Sequence, residues 1–339
     1  MPESATSRRR AAASQPPPEF LTSLSAVRRP VVVGHVEPDA DSIGACLGLS
    51  LLMRQHEIDA RFVLPRPVAS RLRFLVELGR DVPVVSEPPS DAEAAIICDT
   101  ATPRRVHCTG GFERLSGLAT FNIDHHITNP DYARHNWVDP HASSTSELIV
   151  RLAAGLRWKP SGAAASLLYA GLHGDTGGFS LPNATADALH LAAELVRAGA
   201  DVAHIGEQLC RSLGRPDFEL LRRVYDHTRM TDDGRIAYSV LSHEDIVASG
   251  CSASDIDDQV SIPRALRGIR MAMLFSEGEP GIVRVNLRGE GRTSVIEIAE
   301  QFGGGGHTQS AGVRMKNKPI HEVVELVLAA AQAHLARSD

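Results

Sequence analysis

Four short clusters of carboxylates and imidazoles carry the chemistry of this 339-residue chain. They read VVVGHVEPDAD, with His35, Asp39 and Asp41; AAIICD, ending at Asp99; FNIDHH, with Asp124, His125 and His126; and LHGDTGGF, with Asp175. Oxygen and imidazole donors gathered from the ends of separate apolar runs are the ligand set of a pair of divalent cations. Two such ions about 3.5–4 Å apart can share a hydroxide and activate it at neutral pH for in-line attack on phosphorus. The spacing of Asp39 and Asp41 lets their carboxylates diverge toward two metals, and Asp99 is the natural bridge. Taken singly, each residue has a plain structural explanation. Asp39 or Asp41 can N-cap the helix that starts near Ser42, Asp99 can open a turn, His125 and His126 can be loop residues, and Asp175 can serve the turn before Gly177 and Gly178. Taken together, the residue types and their order favour a metal-dependent hydrolase.

The elements that must position these groups alternate as in an α/β domain. Strands are expected at Pro30–Gly34, Ala60–Leu64, Ala94–Asp99 and Leu118–Asp124, several of them unbroken apolar runs that suit a parallel sheet buried on both faces. Helices are expected at Ser42–Gln55, Ser144–Leu156, Ala163–Gly174 and Thr185–Ala198. In open sheets of this kind ligands bind beyond the carboxyl ends of the strands, where three of the four clusters fall. Gly44 and Gly48, four apart on one helix face, would let that helix sit close to the sheet.

The rest of the chain divides into a disordered tail over residues 1–20, the metal-binding domain over 21–201, a helical linker over 202–230 and a smaller α/β domain over 231–339. In the smaller domain, strands are expected at Arg235–Leu241, Ile269–Phe275, Ile282–Leu287 and Gly312–Met315. Helices are expected near Ile256–Leu266 and at Ser294–Phe302 and Ile320–Ala336.

The composition, 43% hydrophobic and 22% charged, is that of a globular protein, and no apolar run is long enough for a membrane span. The first twenty residues contain three arginines but no apolar stretch behind them, so no secretory signal is read there. Five scattered cysteines without a CxxC pair indicate neither a disulfide framework nor a zinc ribbon, and the cytoplasm is the expected compartment. A net charge of −6 and only 4% aromatic residues argue against a long nucleic acid as partner. A small anionic substrate remains compatible, because metals and local arginines supply the positive field.

In the second domain, the glycines Gly303, Gly304, Gly305 and Gly306 let the backbone approach a ligand, and His307 can donate to a phosphate. The alternative is a helix C-cap followed by a turn. Arg288, at the end of IVRVNLR, has a guanidinium that suits bidentate phosphate recognition, or is a solvated strand-end arginine in a stretch that also holds Arg284 and Arg292. Ser143, Ser144 and Thr145 can either donate to a phosphate or cap the helix that follows. His173 reads as a packed histidine.

HVEPDAD, the Asp of IICDT, IDHH and GDTGGF, in this order, resemble the motifs of the DHH phosphoesterase superfamily, and FGGGGHTQSAG resembles the glycine-rich motif of the DHHA1 domain. The length and the DPHASSTSEL segment are similar to those of bacterial bifunctional oligoribonucleases and pAp phosphatases, a group that includes cyclic-dinucleotide phosphodiesterases. The resemblance spans about Val31 to Met315. It implies two bound divalent metals, usually manganese. His35, Asp39 and Asp99 would hold one, and Asp41, Asp99, His125 and Asp175 the other. It implies that His126 faces the substrate phosphate as donor or acid while Asp124 supports the histidines. Arg288, His307 and the glycines Gly304, Gly305 and Gly306 would bind substrate, and the active site would lie in the cleft between the domains.

The implied activity is hydrolysis of di- to pentanucleotides of RNA or DNA to 5′-mononucleotides, and of pAp to AMP, by a homodimer. A cyclic di-AMP or linear dinucleotide phosphodiesterase is the alternative. An inorganic pyrophosphatase is disfavoured by FGGGGH, and a silent nucleotide sensor by the complete ligand set.

Overall fold

The computed structural model describes residues 15–64 and 68–338. The chain divides between Ser212 and Leu213 into two compact units.

The first unit is built on a six-stranded, wholly parallel sheet. Its strands are β1 (Pro30–Val33), β2 (Arg61–Val63), β3 (Val84–Val85), β4 (Ala94–Cys98), β5 (Ala119–Asp124) and β6 (His135–Val138). They lie in the order β3-β2-β1-β4-β5-β6. Every residue of β1 and β4 is buried, which explains their unbroken apolar sequences. Strand order reverses between β1 and β4, so their carboxyl ends diverge and open a crevice there. The loops carrying His35 and Asp99 leave from these two strands.

Helices α1 (Pro18–Ser25), α2 (Ala40–Gln55), α3 (Arg73–Leu78), α4 (Thr145–Gly155), α5 (Gly162–Asp175), α6 (Ala186–Arg197) and α7 (Val202–Cys210) complete this unit. Most of the tail expected over residues 1–20 lies outside the described residues; within them α1 already starts at Pro18, because proline is tolerated in a first helical turn and α1 has a face to bury. Its Phe20 packs edge-on against Phe121, with ring centroids 5.5 Å apart. Gly44 serves close packing, but against α5 rather than the sheet. A Cβ there would stand 2.5 Å from the Leu167 carbonyl oxygen. Gly48 likewise faces Leu168.

The second unit has a mixed sheet of β7 (Thr228–Met230), β8 (Ile236–Leu241), β9 (Met271–Glu279), β10 (Ile282–Gly289), β11 (Gly305–His307) and β12 (Ser310–Lys316), ordered β11-β12-β10-β9-β8-β7. Only the β8–β9 pair among these is parallel. Its helices are α8 (Arg215–Asp226), α9 (His243–Ser249), α10 (Ser261–Arg264), α11 (Ile296–Gln301) and α12 (Ile320–Ser338).

Two expectations are corrected here. Residues 202–230 are not a separate linker: Ile205 of α7 is buried in the core of the first unit, and Leu220 and Val224 of α8 in that of the second. The helix expected near Ile256–Leu266 shortens to α10, preceded by tight turns; Pro263 removes a backbone donor that a longer helix would use.

Candidate metal centre

The four clusters converge at the crevice between β1 and β4. His35 follows β1 and is buried, with Nε2 3.4 Å from Asp99 Oδ2 and 3.9 Å from Asp39 Oδ1. Backbone bonds hold its loop against the one after Asp99, from Val36 N to Arg105 O (2.9 Å) and from His107 N to Gly34 O (2.9 Å). Asp99 itself adopts the left-handed region, φ 53°, directly after β4. Non-glycine residues take this conformation at a cost of roughly 1–2 kcal/mol, and aspartate is among those that tolerate it. His125 Nε2 lies 3.6 Å from Asp99 Oδ1 and 3.1 Å from Asp175 Oδ2, the latter at the end of α5.

Three groups have ligand atoms within 4.8 Å of one another: His35, Asp39 and Asp99; Asp41, His125 and Asp175; and Asp99, His125 and His126. The first two groups divide Asp39 from Asp41, and Asp99 stands between them through its contacts with His35 and His125. The donor set is that of oxygen- and imidazole-binding divalent ions.

Electrostatics point the same way. Burial, reinforced by the Asp99 and Asp175 carboxylates, pushes Asp41 well above the usual carboxylate range, and burial pushes Asp175 up as well. Burial also works to raise Asp99, but the His35 hydrogen bond and the His126 and His125 imidazoles outweigh it and hold Asp99 below that range. Burial disfavours the charged form of His125, yet Asp175, Asp99 and Asp41 raise this imidazole well above its ordinary value. Buried negative charge is crowded here, and cations would relieve it.

Polar groups around these residues fix them. Asp39 caps α2, accepting from Ser42 N at 2.9 Å, so its capping role and its place among the donors coexist. Asp41 accepts from the first backbone amides of α4, Thr145 N at 2.6 Å and Ser146 N at 2.9 Å. Thr145 Oγ1 donates to Asp99 Oδ1 at 3.1 Å. Gly171 makes this docking possible, since a Cβ there would lie 2.0 Å from Ser146 Oγ and 2.6 Å from Asp41 Oδ1. Thr145 is therefore bonded to both the Asp41 and the Asp99 carboxylates. Ser144 caps α4 through Glu147 N, and Ser143 donates to Glu147 Oε2.

Asp124, fully buried at the end of β5, accepts from His126 Nδ1 at 2.7 Å. Burial opposes the charged form of His126, but Asp124 and Asp99 raise its pKa above the ordinary value. Sequence reasoning missed Asn129, whose amide reaches Asp124 Oδ2 at 2.6 Å, and Arg105, whose guanidinium stands 3.3 Å from His35 Nδ1. Their only signal in the sequence was proximity, three residues after His126 for Asn129 and six after Asp99 for Arg105. His173 packs against Tyr169 and Phe179, as a structural histidine does.

In the second unit the glycine run is more ordered than an open loop. Gly303 N donates to Glu300 O (3.0 Å) and Gly304 N to Ala299 O (2.8 Å), so the first two glycines cap α11. The Gly304 amide is thereby committed, which removes the reason for placing it among ligand donors. Gly305, Gly306 and His307 form the edge strand β11, opposite Gly312, Ala311 and Ser310 of β12. Arg288 pairs in register with Ser310 on one side and Ala272 on the other. His307 and Arg288 thus flank Ser310 on neighbouring strands.

The sequence matches the DHH family N-terminal domain over residues 29–172 and the DHHA1 domain over residues 233–337. It is 32% identical over 321 residues to the bifunctional oligoribonuclease and PAP phosphatase NrnA of Thermus thermophilus, covering 93% of each chain. It is 30% identical to the protein of the same name from Bacillus subtilis, covering 87% of this chain and 91% of that one. The cyclic-di-AMP phosphodiesterase GdpP of Bacillus subtilis is 26% identical over 91% of this chain but 47% of its own length. A crystal structure of an exopolyphosphatase-related protein from Bacteroides fragilis shares the fold, with a TM-score of 0.84 and 22% identity, covering 95% of this chain and 98% of that one.

Proposed function

The chain belongs to the DHH family and carries the DHHA1 domain, and on that premise we propose that it is a manganese-dependent phosphoesterase hydrolysing di- to pentanucleotides to 5′-mononucleotides and pAp to AMP. The observation that carries this reading is the position of Asp99 between two ligand groups, one with His35 and Asp39, the other with Asp41, His125 and Asp175. These residues would hold two Mn²⁺ ions. When bound, such ions supply Lewis acidity toward the phosphoryl oxygens and an activated water.

The chain's own groups do the rest. His126, oriented through Nδ1 by Asp124, offers its other nitrogen to the phosphate and protonates the leaving O3′ as its bond to phosphorus breaks. Arg288 and His307 bind the nucleotide, with Gly305 and Gly306 presenting an edge free of side chains beside them. The working form in this reading is a cytoplasmic homodimer. Among the described residues no helix is long and apolar enough to cross a membrane.

A second reading, cleavage of cyclic di-AMP or its linear product, is favoured by the similarity to GdpP. One panel separates the two. Purified protein with Mn²⁺ is offered a 5′-phosphorylated RNA dinucleotide, a long RNA, pAp, cyclic di-AMP and pyrophosphate at equal concentration, with products read by mass spectrometry. Preferential conversion of the dinucleotide to mononucleotides is expected. Preference for cyclic di-AMP would select the second reading, and cleavage of pyrophosphate alone would overturn both.

A further inference from the structure

Asn129 lies five residues beyond Asp124 and is the meeting point of a polar network behind His126. Its Nδ2 donates to Asp124 Oδ2 at 2.6 Å and to Asn122 Oδ1 at 2.7 Å, its two short bonds, with the Thr100 carbonyl oxygen farther off at 3.4 Å. Its Oδ1 accepts from Asp131 N at 2.9 Å, so the backbone decides which end of the amide faces the carboxylate. Its own backbone N–H returns to His126 O at 3.2 Å. Asn122 is fully buried and donates to Ile97 O of β4 at 3.2 Å, which anchors the network to the sheet. Asp124 therefore has one oxygen on His126 Nδ1 and the other on Asn129 Nδ2, and rotation of its carboxylate would break one bond or the other.

We propose that Asn129 is a positioning residue that locks the Asp124 carboxylate and, through it, the imidazole of His126, so that the second ring nitrogen meets the leaving oxygen of the substrate. This rests on the role given to His126 above. In the step it serves, water loses a proton to solvent as its oxygen bonds to phosphorus, the P–O3′ bond breaks with its electron pair on O3′, and O3′ takes a proton from His126, which solvent restores. Neutral donors that hold an acid–base side chain from behind act on turnover more than on binding.

The test compares two substrates that differ in their need for a proton. The dinucleotide leaves as an alcohol and needs one; the p-nitrophenyl ester of a nucleoside 5′-phosphate leaves as a stable phenolate and does not. Asn129→Ala is expected to lower kcat on the dinucleotide by roughly 10–100-fold, with KM and Mn²⁺ affinity near wild type and the nitrophenyl ester cleaved at close to the wild-type rate. Asn129→Asp, of equal size, sets a carboxylate against Asp124 and is expected to do at least as much harm to the dinucleotide reaction. In an Asp124→Ala background the Asn129→Ala change is expected to cost little more, because the two act as one unit. Equal losses on both substrates, additive losses in the double variant, or an unchanged kcat would overturn the proposal. His126→Ala run alongside keeps the two levels apart. If that variant turns over the dinucleotide normally, the role of His126 fails; if it is inactive while Asn129→Ala is unaffected, only the role of Asn129 fails.

Discussion

The two sheets hold six strands each and place their polar chemistry in opposite ways. In the first, all pairings are parallel and β1 and β4 are buried along their whole length, so charged groups occur only where strands end. In the second, β10 alternates half-buried and buried residues, and Arg284, Asn286 and Arg288 fall on one face while Val283, Val285 and Leu287 enter the core. A strand-end site gathers many donors at one point from distant segments, and each donor is needed. A strand-face site spreads its contacts along a surface, and each is a graded contribution. The first arrangement suits metal ligation and the second suits substrate binding.

This contrast is open to direct attack. The largest effect is expected from Asp99→Ala, which should abolish hydrolysis while circular dichroism and thermal melting show a folded protein; normal turnover in metal-defined buffer would refute the bridging role. Next comes Gly171→Ala, whose Cβ has no room beside Ser146 Oγ and Asp41 Oδ1. Overpacking of this kind costs about 1–3 kcal/mol, and denaturant titration should show it together with weaker Mn²⁺ binding. On the strand face, Arg288→Ala should raise KM by roughly 10-fold or more while kcat changes little, the signature of a lost charged hydrogen bond to bound substrate. A fall in kcat without a change in KM would place Arg288 with the strand-end chemistry and blur the distinction.

The smallest effect lies away from both sites. Asp245 Oδ2 accepts from Ser242 N and Oγ in a capping box at α9, and Oδ1 accepts from Arg223 at 3.1 Å. Burial works to raise its pKa, but Ser242, His227 and Arg223 outweigh it and leave it below the ordinary value. Asp245→Asn should cost about 1 kcal/mol near neutral pH. Because the folded pKa is depressed, that stabilisation is complete above the unfolded carboxylate value of about 3.9 and is lost as pH falls through the folded one. The melting-temperature gap between wild type and variant should therefore narrow in acid.

What could be read from sequence follows the same division. β1 and β4 were legible because burial on both faces leaves an unbroken apolar run, and the carboxylates and imidazoles that gather at their ends because such residue types stand out beside apolar runs. β6, with sequence HNWV, was not legible as a strand, since it lies at the sheet edge and carries polar residues. β11 was hidden by its glycines, which read as a turn. α1 was concealed by the prolines that precede and start it. Asn129 escaped for a different reason, and Thr145, read as a phosphate donor or a cap, hid its bond to Asp99 for the same one: asparagine and threonine are common in caps and turns, and only three-dimensional proximity tells the donor to Asp124 or Asp99 from the many that do nothing of the kind.

The clamp on Asp41 also has a consequence in time. The carboxylate and the Thr145 amide that holds it are separated by 104 residues of chain. At the usual pace of synthesis, about 5–20 residues per second, Asp41 leaves the ribosome roughly 5–20 seconds before its clamp is made. Until then the loop after β1 lacks the amides that hold Asp41 and the carboxylate of Asp175 that completes its group. In a nascent chain the group of His35, Asp39 and Asp99 is therefore made first, while that of Asp41, His125 and Asp175 stays incomplete until α4 and α5 have docked.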